Sequence, residues 1–403
     1  MIRENYSSFL SPITHHPSLL QEYRLAKKLR VGVVFGGRSG EHEVSVRSAR
    51  AVIDAMDADK YEVVPIAITK EGRWLSPAEA VGLLPGETKK QLSGQVISEK
   101  RTPSSLIGDI SARGSVRRIE GDDAATTSPH LDVVFPVLHG TYGEDGTIQG
   151  WLEMVGMPYV GCGVLASSCG MDKVTMKALF RDAGLPMCRH TWFLRKAWEA
   201  DHPSILRRIS REIGFPCFVK PANLGSSVGI SRATDKASLK RAIELAARYD
   251  RKIIVEEGLD AREIECGVMG NETPEASLPG EYVVRDKSAS FLDYTEKYSD
   301  TGHVEFVVPA PLSKAVIRRI QRMATEAFQA VDGSGLARVD FFLRRDTNEL
   351  LINELNTMPG LTDVSGFPKM WAASGVPFPQ AIDRLIQLAL DAHRDKSRNE
   401  TSI

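Results

Sequence analysis

Polarity along the chain changes its period several times, and each change marks an element. From Val31 the run VGVVFGG is apolar without alternation, which predicts a strand buried on both faces of a parallel sheet. It breaks into RSGEHEVSVRSARAVIDAM, a loop and then a helix whose inward face is predicted to carry Val44, Ala51, Val52 and Ala55. YEVVPIAIT and LDVVFPVLHG are further buried strands, and GTIQGWLEMVGMPYVG gives a helix and its exit. A strand, a glycine turn and a helix together open a doubly wound α/β unit. Residues 86–129 are rich in Gly, Ser, Thr, Lys and Asp with weak periodicity, and are expected to form a long insertion with some strand content of its own.

A second region begins with MDKVTMKALFRDAG, a helix that Gly184 should end ahead of Pro186. PCFVKP reads as a strand, SLKRAIELAARY as an amphipathic helix and KIIVEE as another strand. The pattern then turns strand-rich through EIECGVM, EYVVRD, VEFVVPA, LARVDFFLR and LLINELN, and the helix PQAIDRLIQLALDAH closes the ordered chain. No internal repeat is visible. The expected layout is an α/β domain followed by two α+β regions. Residues 1–29 show no clear period and are expected to be a loose extension.

Composition narrows the function classes. The 403 residues are 42% apolar and 26% charged, as in an ordinary globular protein of two or three domains. Lys and Arg number 51 against 52 Asp and Glu, a net charge of −1. Such a balance gives no electrostatic reason to seek nucleic acid or an acidic membrane, so any nucleotide would be held locally. The five cysteines are odd in number and lack C-x-x-C spacing, which argues against a disulfide framework or a zinc site and suits a reducing compartment. The first thirty residues lack a signal-peptide core, and no run is long enough for a membrane span. A cytoplasmic protein is the expectation.

Four stretches carry candidate chemistry. In LARVDFFLR, Arg338, Asp340 and Phe342 share one parity and therefore one face, as do Glu354 and Asn356 in LLINELN. If the strands pair, Asp340, Glu354 and Asn356 converge as oxygen ligands of the kind Mg²⁺ takes, sharing its shell with water and phosphate. Solvated strand faces would read the same way. In FVKPANLGSSVGI, Lys220 ends a strand before a Gly/Ser loop, where backbone N–H groups and an ammonium could hold phosphate. A structural turn is the alternative. The loop is not a P-loop, and VVFGGRSGE lacks the dinucleotide fingerprint. Glu256 and Glu263 flank the turn EGLDAR and could accept from ribose hydroxyls or cap that turn; their position alone singles out neither.

Taken together, GGRSGEHEVSVRSA, LHGTYGEDGTIQGWLE, MDKVTMK, FVKPANLGSSVGI, DYTEKYSD, ARVDFFL and INELNTMPGLT resemble the ATP-grasp superfamily, and within it the D-alanine–D-alanine ligases. The resemblance covers about residues 31–393; residues 1–29 and most of 86–129 lie outside it. It implies an N-terminal doubly wound (preATP-grasp) domain followed by a two-subdomain ATP-grasp fold. The divisions would be a flexible extension 1–29, a substrate domain 30–170, a central subdomain 171–263, a catalytic subdomain 264–393 and a tail 394–403. It implies an ATP-dependent ligase that makes D-alanyl-D-alanine for peptidoglycan through an acyl phosphate, with two Mg²⁺ ions for which Mn²⁺ can substitute, working as a homodimer.

By the same resemblance, Lys173, Lys220, Ser226, Ser227 and Lys297 would meet the ATP phosphates, and Glu256, Leu259 and Glu263 the adenosine. Asp340, Glu354 and Asn356 would hold the metal ions. Glu41 and His139 would bind the first D-alanine and Ser365 the second. Arg338 and the Gly360 N–H would stabilise the tetrahedral intermediate. Ser226 would link Glu41 and Tyr298 into a lid over the site. Relatives that make a D-alanyl–D-lactate ester have a histidine where this chain has Tyr298, so peptide formation is expected. Gly366 stands where relatives often have a larger apolar residue, which predicts a looser second-substrate pocket. The alternatives are a D-Ala–D-X ligase using D-lactate or D-serine, another ATP-grasp carboxylate–amine ligase, a nucleotide-binding regulatory module, and a hydride-transfer enzyme. The acidic set argues against the third, and the missing fingerprint against the last.

Overall fold

The computed structural model describes residues 28–92, 106–108, 116–118, 131–225, 228–284 and 304–400. Leu29–Gly36 (β1) leads into His42–Ala55 (α1), Tyr61–Ile68 (β2), Pro77–Ala80 (α2) and Gly86–Leu92 (α3). An antiparallel pair, Leu106–Gly108 (β3) and Val116–Arg118 (β4), comes before Val133–Val137 (β5) and Thr147–Met154 (α4). β1 is the centre of a parallel sheet of order β2-β1-β5, and its apolar run is buried from Val31 to Gly36. The sheet is thus covered on both faces, as an unalternating apolar strand requires.

Two expectations change here. The buried face of α1 carries His42, Ser45, Ser48, Ala49, Val52 and Ile53; of the expected set only Val52 is fully buried. Hydrophobicity misled because the serines are buried through hydrogen bonds. Ser45 Oγ donates to the Val137 carbonyl and accepts from the Gly36 N–H (2.7 Å). The expected insertion also begins differently. Residues 86–92 form α3, with Leu92 in the core and Thr88 Oγ1 donating to Asp54 of α1 at 3.0 Å. The rest of the 86–129 reading, apart from β3 and β4, lies outside the described residues.

Val164–Met171 (α5) and Lys173–Asp182 (α6) follow. Asp172 caps α6 by accepting from the Val174 and Thr175 N–H groups (3.1 and 3.0 Å). Gly184, at φ +71°, donates to the Arg181 carbonyl and ends the helix before Pro186, as the sequence predicts. His190–Leu194 (β6), Arg195–Ala200 (α7), His202–Glu212 (α8), Cys217–Pro221 (β7), Ser231–Ala233 (β8), Lys236–Tyr249 (α9) and Lys252–Glu257 (β9) complete this region. Its antiparallel sheet has the order β6-β9-β7-β8. Cys217, Val219, Ile253 and Val255 pack under α8 and α9. The alternate residues Lys220 and Glu256 therefore face the other way.

The last region holds Ala261–Gly270 (β10), Glu275–Ala276 (β11), Gly280–Val284 (β12), Val304–Val307 (β13), Lys314–Ala330 (α10), Gly335–Arg344 (β14), Leu350–Asn356 (β15), Gly366–Ala373 (α11) and Phe378–Lys396 (α12). Its sheet runs β13-β12-β10-β14-β15, with β11 paired to β10. α10 covers one face through Ile320, Met323, Ala327 and Phe328 against Val339, Phe341 and Ile352. α12 joins Leu336 and Met269 to the core that includes Val52 and Ile53, which ties this sheet to the N-terminal domain. No helix among the described residues is long and apolar enough to cross a membrane.

Candidate active site

β10, β14 and β15 form the floor of the site. Glu265, Asp340 and Glu354 lie directly opposite one another across these three strands, and Gly267, Arg338 and Asn356 form the next row. On β14 the parity expected from sequence holds: Ala337, Val339, Phe341 and Leu343 are buried, and Arg338, Asp340 and Phe342 are on the other face. Arg338 is two residues from Asp340 on that face, so its guanidinium forks onto the carboxylate. Nε–Oδ1 and Nη2–Oδ2 are both 2.7 Å. Nε also lies 3.2 Å from Glu265 Oε1. Asn356 Nδ2 donates to Asp340 Oδ2 at 3.1 Å.

β15 reaches this arrangement through a bulge. Asp340 pairs with Glu354 but Phe341 with Ile352, so Asn353 has no opposite residue. Without the extra residue, Ile352 and Glu354 would share a face. With it, Ile352 enters the core while Glu354 and Asn356 stay on the polar side.

The second wall is cationic. Lys220 Nζ lies 2.6 Å from Glu256 Oε2, and Lys177 Nζ lies 2.8 Å from Glu256 Oε1. Lys173 Nζ donates to the Leu224 carbonyl (3.0 Å) and lies 3.5 Å from Glu354 Oε2. Burial alone would raise the pKa of Glu354, but Lys173, Lys220 and Arg338 outweigh it and hold the carboxyl at about 2. Burial likewise opposes ionisation of Glu256, and Lys177 and Lys220 reverse this, so Glu256 is held well below the usual carboxylate range. Burial opposes the charge on Lys220 too, yet Glu256 and Glu354 raise its pKa above the ordinary lysine value.

The N-terminal domain supplies the third wall. Glu41 precedes α1, with its N–H donating to Ser39 Oγ (3.1 Å). A side chain on Gly140, at φ +77°, would place its Cβ 2.6 Å from Glu41 Oε2; one on Gly225 would come to 3.2 Å. Two glycines from different domains thus let backbone close around Glu41. His139 is buried between the Met358 carbonyl (Nδ1, 3.1 Å), Ser48 Oγ (Nε2, 3.0 Å) and Glu144 Oε1 (3.6 Å). Burial disfavours its charged form, but Glu144 and Glu41 outweigh this and raise its pKa.

Of the residues singled out from sequence, Glu41, His139, Glu263, Arg338, Asp340, Glu354, Asn356 and Gly360 line one cleft. Lys173 joins it through Glu354, and Lys220 and Glu256 form the ion-paired wall. Leu259 is half-buried in the turn between β9 and β10. Ser365 is buried beside Gly360, and its hydroxyl is engaged with Thr362 Oγ1 (2.7 Å) and the Thr362 N–H (3.2 Å). Ser226, Ser227, Lys297 and Tyr298 lie outside the described residues. The expected gap at Gly366 is filled: a Cβ there would meet Glu265 Oε2 at 2.5 Å and Phe306 Cζ at 2.9 Å. The Phe306 ring occupies the space that a larger residue would need.

Sequence reasoning missed Glu265, Glu144, Ser48 and Lys177. Glu265 left one signal, a carboxylate between Ile264 and Cys266, two residues after Glu263 and so on the same face of the strand. Lys177 left another, being one helical turn after Lys173.

The donor set of Asp340, Glu354 and Asn356 is all oxygen and held on rigid strands, which fits a hard divalent cation. Among the described residues no three His, Cys, Asp or Glu side chains close around one point. An ion there would need Asn356 and ligand oxygens to complete its shell. Chemically, the cleft can hold an anion between lysines and carboxylate-bound cations, with an ammonium beside Glu41.

Residues 30–162 match the family model "D-ala D-ala ligase N-terminus" and residues 179–387 match "D-ala D-ala ligase C-terminus". The D-alanine–D-alanine ligase of Geobacillus thermodenitrificans is 48% identical over 369 residues, covering 92% of this chain and 97% of that one. That of Heliobacterium modesticaldum is 45% identical over 375 residues, covering 93% and 98%. Among solved structures, the D-alanine-D-alanine ligase from Coxiella burnetii superposes with a TM-score of 0.75 at 34% identity, covering 93% of this chain and 97% of that one. The VanG D-Ala:D-Ser ligase from Enterococcus faecalis gives 0.75 at 35% identity, covering 90% and 100%. Both halves of the chain, and the cleft between them, are thus accounted for by one group of enzymes, and the chain belongs to the D-alanine–D-alanine ligase family.

Proposed function

We propose that this cleft performs the ligation in two steps. The carboxylate of one D-alanine attacks the γ-phosphorus of ATP, giving an acyl phosphate and ADP. The amine of a second D-alanine then attacks the acyl carbon, and phosphate leaves with one former carboxylate oxygen. A free carboxylate is a poor acyl donor because oxide is its leaving group. Phosphorylation removes that barrier, and the protein's task becomes positioning and charge neutralisation.

The observation that supports this most directly is the facing of two charge systems. Arg338, Asp340 and Glu354 lie on the sheet floor, and Lys173 reaches Glu354 from the other wall. In this reading Lys173 and Lys220 take the polyphosphate, with Ser226, Ser227 and Lys297 completing its surroundings. Glu256, Leu259 and Glu263 take the adenosine. Asp340, Glu354 and Asn356 hold Mg²⁺, which when bound neutralises charge between phosphate and acyl group. Glu41 receives the first D-alanine's ammonium, with His139 nearby. Ser365 lies at the second D-alanine. Arg338 and the Gly360 N–H face the oxygen that becomes anionic in the tetrahedral intermediate. Arg338 can do this while Asp340 fixes its plane. Gly225 sits against Glu41, and Ser226 follows it in the chain, which is where a lid excluding water should close. Tyr298, an uncharged residue, favours an amine nucleophile over D-lactate.

The D-Ala:D-Ser relative makes D-serine the informative competitor. Mass spectrometry of products from ATP, Mg²⁺ and equal D-alanine, D-serine and D-lactate tests the reading. D-alanyl-D-alanine as main product supports it; a mixed product in excess, or turnover with L-alanine, contradicts it. A homodimer and a cytoplasmic site of action are inferred from the family resemblance, and sedimentation equilibrium tests the first.

A further inference from the structure

Lys177 is a buried ammonium to which the mechanism above gives no task. It lies on α6 four residues after Lys173, so one helix face sends two cations inward. Its side chain is 1% exposed. Nζ is 2.8 Å from Glu256 Oε1 and donates to the Asn353 carbonyl at 3.0 Å. Those two partners belong to different sheets: Glu256 to β9, Asn353 to β15. Asn353 is the extra residue of the β15 bulge, directly before Glu354.

Compensating the charge of Glu256 does not explain this placement. Lys220 already lies 2.6 Å from the other Glu256 oxygen, and compensating Glu256 does not by itself decide that the remaining Lys177 protons go to the carbonyl of the β15 bulge. A bulge takes a peptide out of the strand ladder, and its carbonyl needs a donor from elsewhere. Here Lys177 supplies it. The same ammonium therefore fixes the carboxylate of the nucleotide wall and the backbone kink that turns Glu354 into the cleft.

We propose that Lys177 is a positioning residue that couples the nucleotide wall to the metal-side strand, setting Glu354 relative to Glu256. The inference rests on the reading that the cleft takes a magnesium nucleotide. It concerns the nucleotide and metal only, because the two partners of Lys177, Glu256 and the Asn353 carbonyl, lie on the nucleotide wall and the metal-side strand.

The test titrates wild type, Lys177→Gln and Lys177→Arg with ADP by calorimetry over a series of Mg²⁺ concentrations, without D-alanine. KM for D-alanine and melting temperature are measured alongside. Absence of ADP binding to wild type removes the underlying reading, whatever the variants do. With wild type binding, Lys177→Gln should weaken ADP by about tenfold, as loss of a charged buried contact does, and move the Mg²⁺ midpoint upward. KM for D-alanine should stay within about twofold. Lys177→Arg keeps the charge but replaces the compact ammonium by a larger planar group, and should lie between the two. ADP affinity and Mg²⁺ midpoint equal to wild type in Lys177→Gln overturn the proposal, as does an equal rise in KM for D-alanine. Should Lys177→Gln fail to fold, Lys177→Arg decides alone: a shift of about threefold or more supports the proposal, and wild-type values overturn it.

Discussion

Replacing Arg338 by lysine separates its chemistry from its charge. The guanidinium makes two contacts of 2.7 Å to Asp340 and one of 3.2 Å to Glu265, and it is largely buried. Lysine keeps the charge but lacks the planar fork, so it cannot take both Asp340 oxygens in parallel while reaching Glu265. Losing a charged hydrogen bond at a buried site costs about 1.5–3 kcal/mol, and the melting temperature should fall by several degrees. Arg338→Ala would cost about 3–5 kcal/mol by leaving both carboxylates uncompensated, which would mix folding with catalysis. If the guanidinium also faces the developing oxyanion, kcat of the lysine variant should fall about 10²–10³-fold. ADP affinity should stay within about threefold, because the lysines proposed to hold phosphate stand on the opposite wall. Coupled ADP release gives kcat, and calorimetry gives the affinity. A kcat within tenfold of wild type, or kcat and ADP affinity falling by the same factor, would refute the assignment.

Three further outcomes are expected. Gly366→Leu would drive a side chain into Glu265 and Phe306, costing about 1–3 kcal/mol, and adding Phe306→Ala should restore part of it; unchanged melting of the single variant would show the slot to be open. Gly140→Ala places a Cβ at φ +77° and 2.6 Å from Glu41 Oε2, so it should cost about 1–2 kcal/mol and raise KM for D-alanine more than KM for ATP; steady-state kinetics with each substrate varied decides this. Glu256 is held below its ordinary value of 4.5, so its stabilisation is complete above that pH and is lost as pH falls through the lower folded-state value. Urea denaturation from pH 6 to pH 3 should show a flatter acid limb in Glu256→Gln than in wild type; parallel limbs would contradict the ion-paired assignment.

Much of the fold was legible because strand parity and helix period survive in the sequence. The polar face of β14 and the Gly184 stop are read from residue spacing alone. The bulge at Asn353 was not legible, since an extra residue in a strand leaves no mark in composition. It nonetheless decides that Ile352 and Glu354 face opposite sides. The buried face of α1 was misread because Ser45 and Ser48 are interior residues whose burial depends on distant carbonyl, amide and imidazole partners. The same holds for Lys177 and Glu265: a charged residue announces its burial only when its counter-charges are known, and these come from other elements, Glu256 on β9 for Lys177 and Arg338 on β14 for Glu265. The space at Gly366 was misjudged for a similar reason, because Phe306 is sixty residues away in the chain yet fills it.

Tracing the carboxylate oxygen tests the central claim most directly. D-alanine labelled with ¹⁸O in both carboxylate positions is incubated with ATP and Mg²⁺, and the released phosphate is analysed by mass spectrometry. The account predicts one ¹⁸O atom per phosphate, in step with D-alanyl-D-alanine formed. Dipeptide formed with unlabelled phosphate would contradict it.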